Sequence, residues 1–440
     1  MKDTIVAIAT APGEGAIAIV RMSGDEAIEI AGRLCRKDFE NTAGYTVHYA
    51  TVYEGKEPID EVLATLFRAP KSFTAENMVE ISCHGGIYIT KKILSLCIGE
   101  GARIALPGEF TERAYLNGRI DLPQAEGVNE MIRAADAVNA RSAVHSLKGS
   151  IAKLISPLEE ELIQMISQIE VNIDYPEYDD VHQLSSEEIL PHAKQWLVQM
   201  DELIRRASQA VQIRRGINTV ILGKPNVGKS SLLNALLEED KAIVTDVAGT
   251  TRDLVEGSVK VGDITLNLID TAGIRKSADP IEEMGIERSL KALEKAELII
   301  VVIDSSAELD ENDRQLLDLT AGRNRIVVYN KKDRREVEGT VAISAVNHDI
   351  QNLIDAIQTK YAEPMKAAES DTLNNERQIG LAIQARNAMN EVVKALENDV
   401  ELDLVTIDLQ NAYSAIKEIT GQATREGMLD EIFRRFCLGK

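Results

Sequence analysis

One octapeptide constrains the fold of this 440-residue chain more than any other feature: Gly223, Lys224, Pro225, Asn226, Val227, Gly228, Lys229, Ser230. The spacing Gly-x4-Gly-Lys-Ser gathers backbone N–H groups, a lysine ammonium and a hydroxyl into one small turn, the donor set that β- and γ-phosphates require. Such a turn cradles phosphate when a strand delivers the chain and a helix continues it. Ile217 to Leu222 is an apolar run with buried-strand character, and Ser231 to Leu237 combines helix formers with apolar spacing. Strand, loop and helix are therefore expected in order, with Lys229 as a point charge and Ser230 as a magnesium ligand.

Further elements follow in the order a nucleotide site needs. Asp270, Thr271, Ala272 and Gly273 end the apolar run Ile264 to Ile269, which places a carboxylate at a strand tip beside the magnesium water shell. Gly262 and Asp263 form a two-residue hairpin turn before that strand. Asn330, Lys331, Lys332 and Asp333 follow the run Arg325 to Tyr329, and Asp333 decides the base. Guanine offers N1–H and N2–H2 as adjacent donors to an ionised carboxylate, whereas adenine presents an acceptor at N1 and nothing at C2. The nucleotide is thus GTP. Ser344 and Ala345, after the strand Thr340 to Ile343, are placed to meet guanine O6 through a backbone N–H. Thr245, Asp246, Val247, Ala248, Gly249, Thr250, Thr251, Arg252 and Asp253 form a polar segment where a threonine hydroxyl completes the magnesium shell, the natural switch.

Small signalling GTPases orient water with a glutamine just after the Asp-Thr-Ala-Gly turn, but Ile274 stands there. Acidic alternatives follow in Asp279, Glu282 and Glu283, and spacing alone does not choose among them.

The length suggests two to four domains. No apolar run approaches the 18 or more residues of a membrane span, and Met1, Lys2, Asp3 opens no basic region with a long apolar core, so a soluble, cytoplasmic chain is expected. Cys35, Cys83, Cys97 and Cys437 lack Cys-x-x-Cys spacing. Cys83 beside His84 reads as a buried strand cysteine entering the Gly85–Gly86 turn. A net charge of −22 opposes a surface that is wholly a nucleic-acid clamp, leaving local clusters such as Arg205, Arg206, Arg214 and Arg215, or Arg434 and Arg435, which read equally as charged solvated helix faces.

The first block alternates short strands (Ile5 to Ala9, Ala16 to Val20, Thr46 to Tyr53, Val62 to Phe67, Val79 to Cys83) with helices near Asp25 to Leu34 and Ile87 to Glu100, an α/β pattern. Ile151, Leu154, Ile155, Leu158, Leu162, Met165, Ile166 and Ile169 recur at helix spacing. Two more stripes, Leu381 to Leu396 and Leu402 to Ile419, follow a polar stretch, Glu363 to Glu376, that reads as a linker. Helices on both sides of an inserted GTPase block predict one bundle.

The Asn226 loop, the Gly249-Thr250-Thr251-Arg252-Asp253 segment and the final Phe436, Cys437, Leu438, Gly439, Lys440 resemble the bacterial MnmE (TrmE) family of tRNA modification GTPases, from end to end. The resemblance implies an α/β N-terminal folate-binding and dimerisation domain (1–117), an all-α helical domain (118–215 and 363–440), and a Ras-like α/β P-loop GTPase domain (216–362) inserted in it. It implies a potassium site of Asn226, Thr245, Val247 and Thr250, magnesium ligands Ser230 and Thr251, and Glu282 orienting water. Folate ligands map onto Arg21, Glu80, Arg119 and Lys440, with Arg119 where the family more often carries lysine. The implied activity is potassium-activated GTP hydrolysis coupled to addition of an aminomethyl or carboxymethylaminomethyl group at C5 of the wobble uridine of certain tRNAs. A tetrahydrofolate (5-formyltetrahydrofolate as ligand analogue) supplies the one-carbon unit, and an MnmG-like flavoprotein brings FAD and NADH to the homodimer. Cys437 is a nucleophile or redox participant in this picture, or equally a docking residue. The competing expectation is a ribosome-assembly GTPase using nucleotide as a timer.

Overall fold

The computed structural model describes residues 3–134, 136–174, 186–239, 255–269, 293–335, 337, 340–398, 400–423, 426–434, 436 and 439. The chain folds into two compact units, Met1–Met200 with Gly380–Lys440, and Asp201–Ile379.

The first unit opens with β1 (Ile5–Ile8), β2 (Ile17–Ser23), β3 (Thr46–Glu54), β4 (Glu57–Phe67), β5 (Met78–His84) and β6 (Arg103–Ile104). They form one sheet of order β3-β4-β5-β2-β1-β6, antiparallel except for the β1–β6 pair. Successive side chains on a strand face opposite ways, and here both faces carry apolar residues. Val6, Val20, Met22 and Ile81 pack in a core with residues of α1 (Ala27–Cys35) and α2 (Ile87–Gly99). Ile5, Ala7 and Met78 gather on the other side with Phe110, Phe67 and Phe73. The spacing of apolar residues anticipated five strands and both helices. It missed β6, whose two residues are both exposed and show no alternation, and it started β4 late, because a hairpin pairing Glu54 with Glu57 extends the strand through polar residues.

The rest of this unit is helical. α3 (Glu109–Leu116) leads to α4 (Leu122–Arg133), which Asp121 starts through a capping box with Gln124. α5 (Ala137–Leu147) and α6 (Ser150–Asp174) follow, then the start of α7 (Ser186–Arg215), whose residues from Asp201 onward belong to the second unit. The α6 stripe is buried at Ile151, Ile155, Leu158, Leu162, Met165, Ile166 and Ile169. Trp196 is fully buried, and its indole N–H donates to the Leu158 carbonyl at 3.0 Å. Leu381, Ala385, Met389, Val392 and Leu396, and then Val405, Leu409, Ala412, Ile416 and Ile419, are buried on the helices Glu376–Glu397 and Leu402–Thr420.

The second unit holds β7 (Ile217–Leu222), β8 (Val255–Val261), β9 (Ile264–Ile269), β10 (Leu298–Asp304), β11 (Arg325–Asn330) and β12 (Val341–Ala342). Their order is β12-β11-β10-β7-β9-β8, parallel except for the β8–β9 hairpin. Gly262, at φ +63°, supplies the left-handed first position of that hairpin's turn. This is a Ras-like α/β sheet. The stretch read as a linker is a helix in its first half, Ala362–Glu369, with Ala367 and Ala368 buried. Its Pro364 falls in the first turn, where a missing N–H costs nothing.

Candidate nucleotide and ligand sites

β7 delivers the chain to Gly223, and α8 (Lys229–Glu239) carries it away. Two glycines of the loop are required by close approach. A Cβ on Gly223 would lie 2.6 Å from the Val302 carbonyl oxygen of β10. One on Gly228, at φ +98°, would lie 2.2 Å from the Asn330 side-chain nitrogen. Asn226 is also left-handed, at φ +64°, and exposed. Lys229 folds back over the loop, its Nζ donating to the carbonyls of Gly223 (2.7 Å) and Lys224 (2.9 Å). Burial pulls its ammonium below the usual lysine range. Lys224 points elsewhere, to Asp310 and Asp313 at 2.8 Å each, and those bonds lift it to about 12. Ser230 and Ser231 begin α8, with Ser230 exposed.

The base side of the site is tied to the phosphate side by one buried residue. Asn330 donates from Nδ2 to the Val227 carbonyl at 2.8 Å and accepts at Oδ1 from the Ala345 N–H at 3.0 Å. It thereby joins the phosphate loop to the turn that begins at Ser344. Asp333 is exposed at the ends of these loops, and the Ser344 hydroxyl donates to its Oδ1 at 2.6 Å. That bond, above all, keeps the Asp333 carboxyl ionised below its ordinary value of 3.8. Lys331, at φ +69°, pairs with Asp304 at 2.5 Å. Asp304 closes β10, and its pairing with Lys331 had no signal in local spacing, because Lys331 follows the end of the neighbouring parallel strand β11.

The structure places Asn330 at the end of β11, and Asn226, Val227, Gly228, Lys229, Ser230, Ser231, Lys331, Asp333, Ser344 and Ala345 on the loops that follow β7, β11 and β12 or in the elements they open. Thr245, Asp246, Val247, Ala248, Gly249, Thr250, Thr251, Asp270, Thr271, Ala272, Gly273 and Glu282 lie outside the described residues, as do Cys437 and Lys440.

In the first unit a second cluster forms around Arg21. It faces Glu80 across the β2–β5 ladder and pairs with it at 2.7 Å. Arg21 also donates to the Gly439 carbonyl at 3.3 Å, a residue 418 positions away. Its guanidinium lies 5.7 Å from the Phe110 ring centre, and that of Arg119 lies 5.1 Å from Phe73. Phe110 packs with Ile5, Ala7 and Met78, and on the same helix the Arg113 side chain, 2% exposed, pairs with Asp3, Glu109 and Glu76. The approach of the chain's last residues depends on glycine: a Cβ on Gly439, at φ +87°, would lie 2.5 Å from the Ile8 carbonyl oxygen. Phe433 and Phe436 pack with Leu122 and Ala125, with Tyr115 against them.

Other residues of interest in the sequence have structural partners. Cys83 is buried with Sγ 3.4 Å from the Ala18 carbonyl, and burial raises its thiol. His84 bonds Asp60 at 2.6 Å. Burial pushes Cys35 up to about 11 and Cys97 up to about 12, which keeps both as unreactive thiols. The arginine cluster is drawn into its own unit: Arg205 pairs with Glu202, Arg206 bonds Ser370, Arg214 bonds the Leu373 and Asn374 carbonyls, and Arg215 pairs with Glu297. Arg434 lies 3.8 Å from Glu431. No helix among the described residues is long and apolar enough to cross a membrane.

Comparison with known proteins covers the whole chain. Residues 4–119 match the family model for the GTP-binding protein TrmE N-terminus, and residues 122–437 match the MnmE helical domain. The chain is 44% identical to the tRNA modification GTPase MnmE of Listeria welshimeri over 454 residues, covering 100% of this chain and 99% of that one. It is likewise 44% identical to the proteins of that name from Lactococcus lactis (448 residues, 98% of the relative) and Enterococcus faecalis (457 residues, 98%). Among solved structures it is similar to the G domain of the Thermotoga maritima FeoB iron transporter, at 25% identity and a TM-score of 0.25, over 33% of this chain and 98% of that one.

Proposed function

We propose, from the premise that this chain belongs to the MnmE family of tRNA modification GTPases, that it hydrolyses GTP under potassium activation and, with an MnmG-like flavoprotein, modifies C5 of the wobble uridine of certain tRNAs. Family membership assigns GTP hydrolysis in tRNA modification and displaces the ribosome-assembly timer. The finer reading divides the chain at 1–117, 118–215, 216–362 and 363–440, and gives each segment a task.

In the GTPase segment, Lys229 and the N–H groups of Val227, Gly228 and Ser230 bind the phosphates, and Asp333 selects guanine. The donor set suits the ions this reading needs: Ser230 offers magnesium a hydroxyl and Asn226 offers potassium an amide oxygen, with Thr251, Thr245, Val247 and Thr250 to complete the two shells. When bound, potassium supplies positive charge beside the transferring phosphate and the folate supplies the one-carbon unit. Glu282 orients the attacking water.

The folate part rests on a single observation: Arg21 is bonded at once to Glu80 and to the Gly439 carbonyl, next to Phe110. A folate combines a flat pterin with anionic carboxylates, and a site of aromatic rings, two guanidiniums and one carboxylate suits that chemistry. Arg119 and Lys440 complete the set. Homodimer formation has support in the outer face of β3 and β4, where Tyr45, Val47, Tyr49 and Leu63 are exposed in one apolar row.

Calorimetry with 5-formyltetrahydrofolate on the intact protein, on Arg21→Ala and on a chain lacking Lys440 tests this reading. Weakening by both changes ties the two ends of the chain into one site. Absence of binding in the unaltered protein sinks the folate assignment and leaves a GTPase whose one-carbon donor lies elsewhere.

A further inference from the structure

We propose that Lys224, anchored by Asp310 and Asp313, is a positioning residue for GTP hydrolysis: it presets the phosphate loop around Asn226 and Lys229 before nucleotide arrives. The inference deepens the reading above by naming a residue outside the nucleotide contacts on which turnover depends.

Lys224 Nζ reaches Asp310 Oδ2 and Asp313 Oδ2 at 2.8 Å each. Those carboxylates are themselves fixed. Asp310 caps the helix Glu311–Leu319, accepting from the Asp313 N–H at 3.0 Å, and Asp313 reaches back to the Asp310 N–H at 3.3 Å. Asp313 is 2% exposed. The ammonium therefore bridges a rigid pair at the start of a helix rather than a lone surface carboxylate, whose grip would be weak. The backbone of the same residue holds the phosphate lysine, since the Lys224 carbonyl accepts from Lys229 Nζ at 2.9 Å. Three residues on, the Val227 carbonyl is held by Asn330 at 2.8 Å. Only Pro225 and Asn226 lie between the two anchors. Asn226 is left-handed at φ +64°, a backbone state that persists in a residue with a side chain when its flanks over-determine it. Removing the Lys224 anchor frees one flank. The loop then spends part of its time with Asn226 and Lys229 displaced, and misplacement by about 1 Å lowers turnover on the order of 100-fold.

The test measures GTP turnover by the full-length protein as wild type, Lys224→Met, Lys224→Arg and Asp310→Asn, each in potassium and in sodium. Lys224→Met should lower kcat by roughly 10- to 100-fold while KM for GTP moves less than about threefold, and the half-saturating potassium concentration should rise. Lys224→Arg should recover most of the rate, because a guanidinium also spans two carboxylates. Asp310→Asn keeps the helix cap and removes one charge, so an intermediate loss of kcat is expected without loss of folding. If Lys224→Met does not fold, Asp310→Asn decides. Unchanged kcat in Asp310→Asn, or a Lys224→Met defect that arginine does not relieve, overturns the proposal. Equal wild-type rates in sodium and potassium remove the potassium assignment instead, while the ratio of variant to wild-type kcat still judges the anchor.

Discussion

Gly439→Ala should separate the proposed folate binding from GTP turnover with one methyl group. The added Cβ would lie 2.5 Å from the Ile8 carbonyl oxygen, in a residue at φ +87°. Ordinary contact needs about 3.2 Å or more, so the backbone at 439 must retreat by roughly 0.7 Å from a strand that cannot yield without breaking its own ladder. A left-handed alanine adds about 1–2 kcal/mol of strain. The Arg21 bond to the Gly439 carbonyl already stands at 3.3 Å, so the retreat carries it past hydrogen-bond range. If the strain is relieved by undocking the last residues, 5-formyltetrahydrofolate should bind about 5- to 30-fold more weakly, the equivalent of 1–2 kcal/mol. GTP turnover without tRNA should stay within about twofold. Calorimetric titration with folate, beside a steady-state GTPase assay on the same preparation, reads both. Folate affinity equal to wild type would refute the docking of the last residues against β1, and a GTPase defect as large as the folate defect would refute the separation.

Three further outcomes are expected. Gly228→Ala places a Cβ 2.2 Å from the Asn330 side-chain nitrogen, so it should disturb the buried Asn330 bonds to Val227 and Ala345 at a cost of about 2–5 kcal/mol; fluorescent GDP should bind at least 30-fold more weakly, and near-normal binding would show that Asn330 can move aside. Asp333→Asn should weaken GTP binding by about 10- to 100-fold and favour xanthosine triphosphate, whose base presents an acceptor in place of the guanine amino group, as competition binding will show. Burial opposes ionisation of Asp304, yet its bonds to Lys331 and Ser306 outweigh it and hold the carboxyl at about 2 against an ordinary 3.8. A depressed carboxylate contributes stability above its unfolded value and loses it as pH falls through the folded one. The difference in thermal stability between wild type and Asp304→Asn should therefore be constant from pH 8 to about 5 and shrink between about 4 and 2; a difference that grows on acidification would contradict the pairing.

What the chain's order of residues determined by itself is the local machinery. Gly223 to Ser230 between a buried run and a helical one specifies strand, loop and helix, because apolar period and glycine placement act within a few residues of each other. Gly262 and Asp263 specify a hairpin for the same reason, and the α6 stripe fell inside the core at all but one of its positions. The linker reading of 363–376 failed locally too: its first half is a short helix with Glu363 and Lys366 exposed, and the helix's buried positions among the described residues are Ala367 and Ala368, too weak a stripe to recognise.

Tertiary structure alone decided which distant groups meet. Arg21 and Gly439 are 418 positions apart, and only the close approach that glycine permits at Ile8 brings them within a bond. Lys331 finds Asp304 because β10 and β11 run parallel in register, and Lys224 finds Asp310 and Asp313 because the helix after β10 starts beside the phosphate loop. In the sequence the arginines at 205 to 215 read as a candidate cationic patch or as a solvated helix face, and folding committed them to Glu202, Ser370, Glu297 and backbone carbonyls. Periodicity encodes which face of an element is buried; it carries no information on which partner a charged side chain meets once that face has been covered.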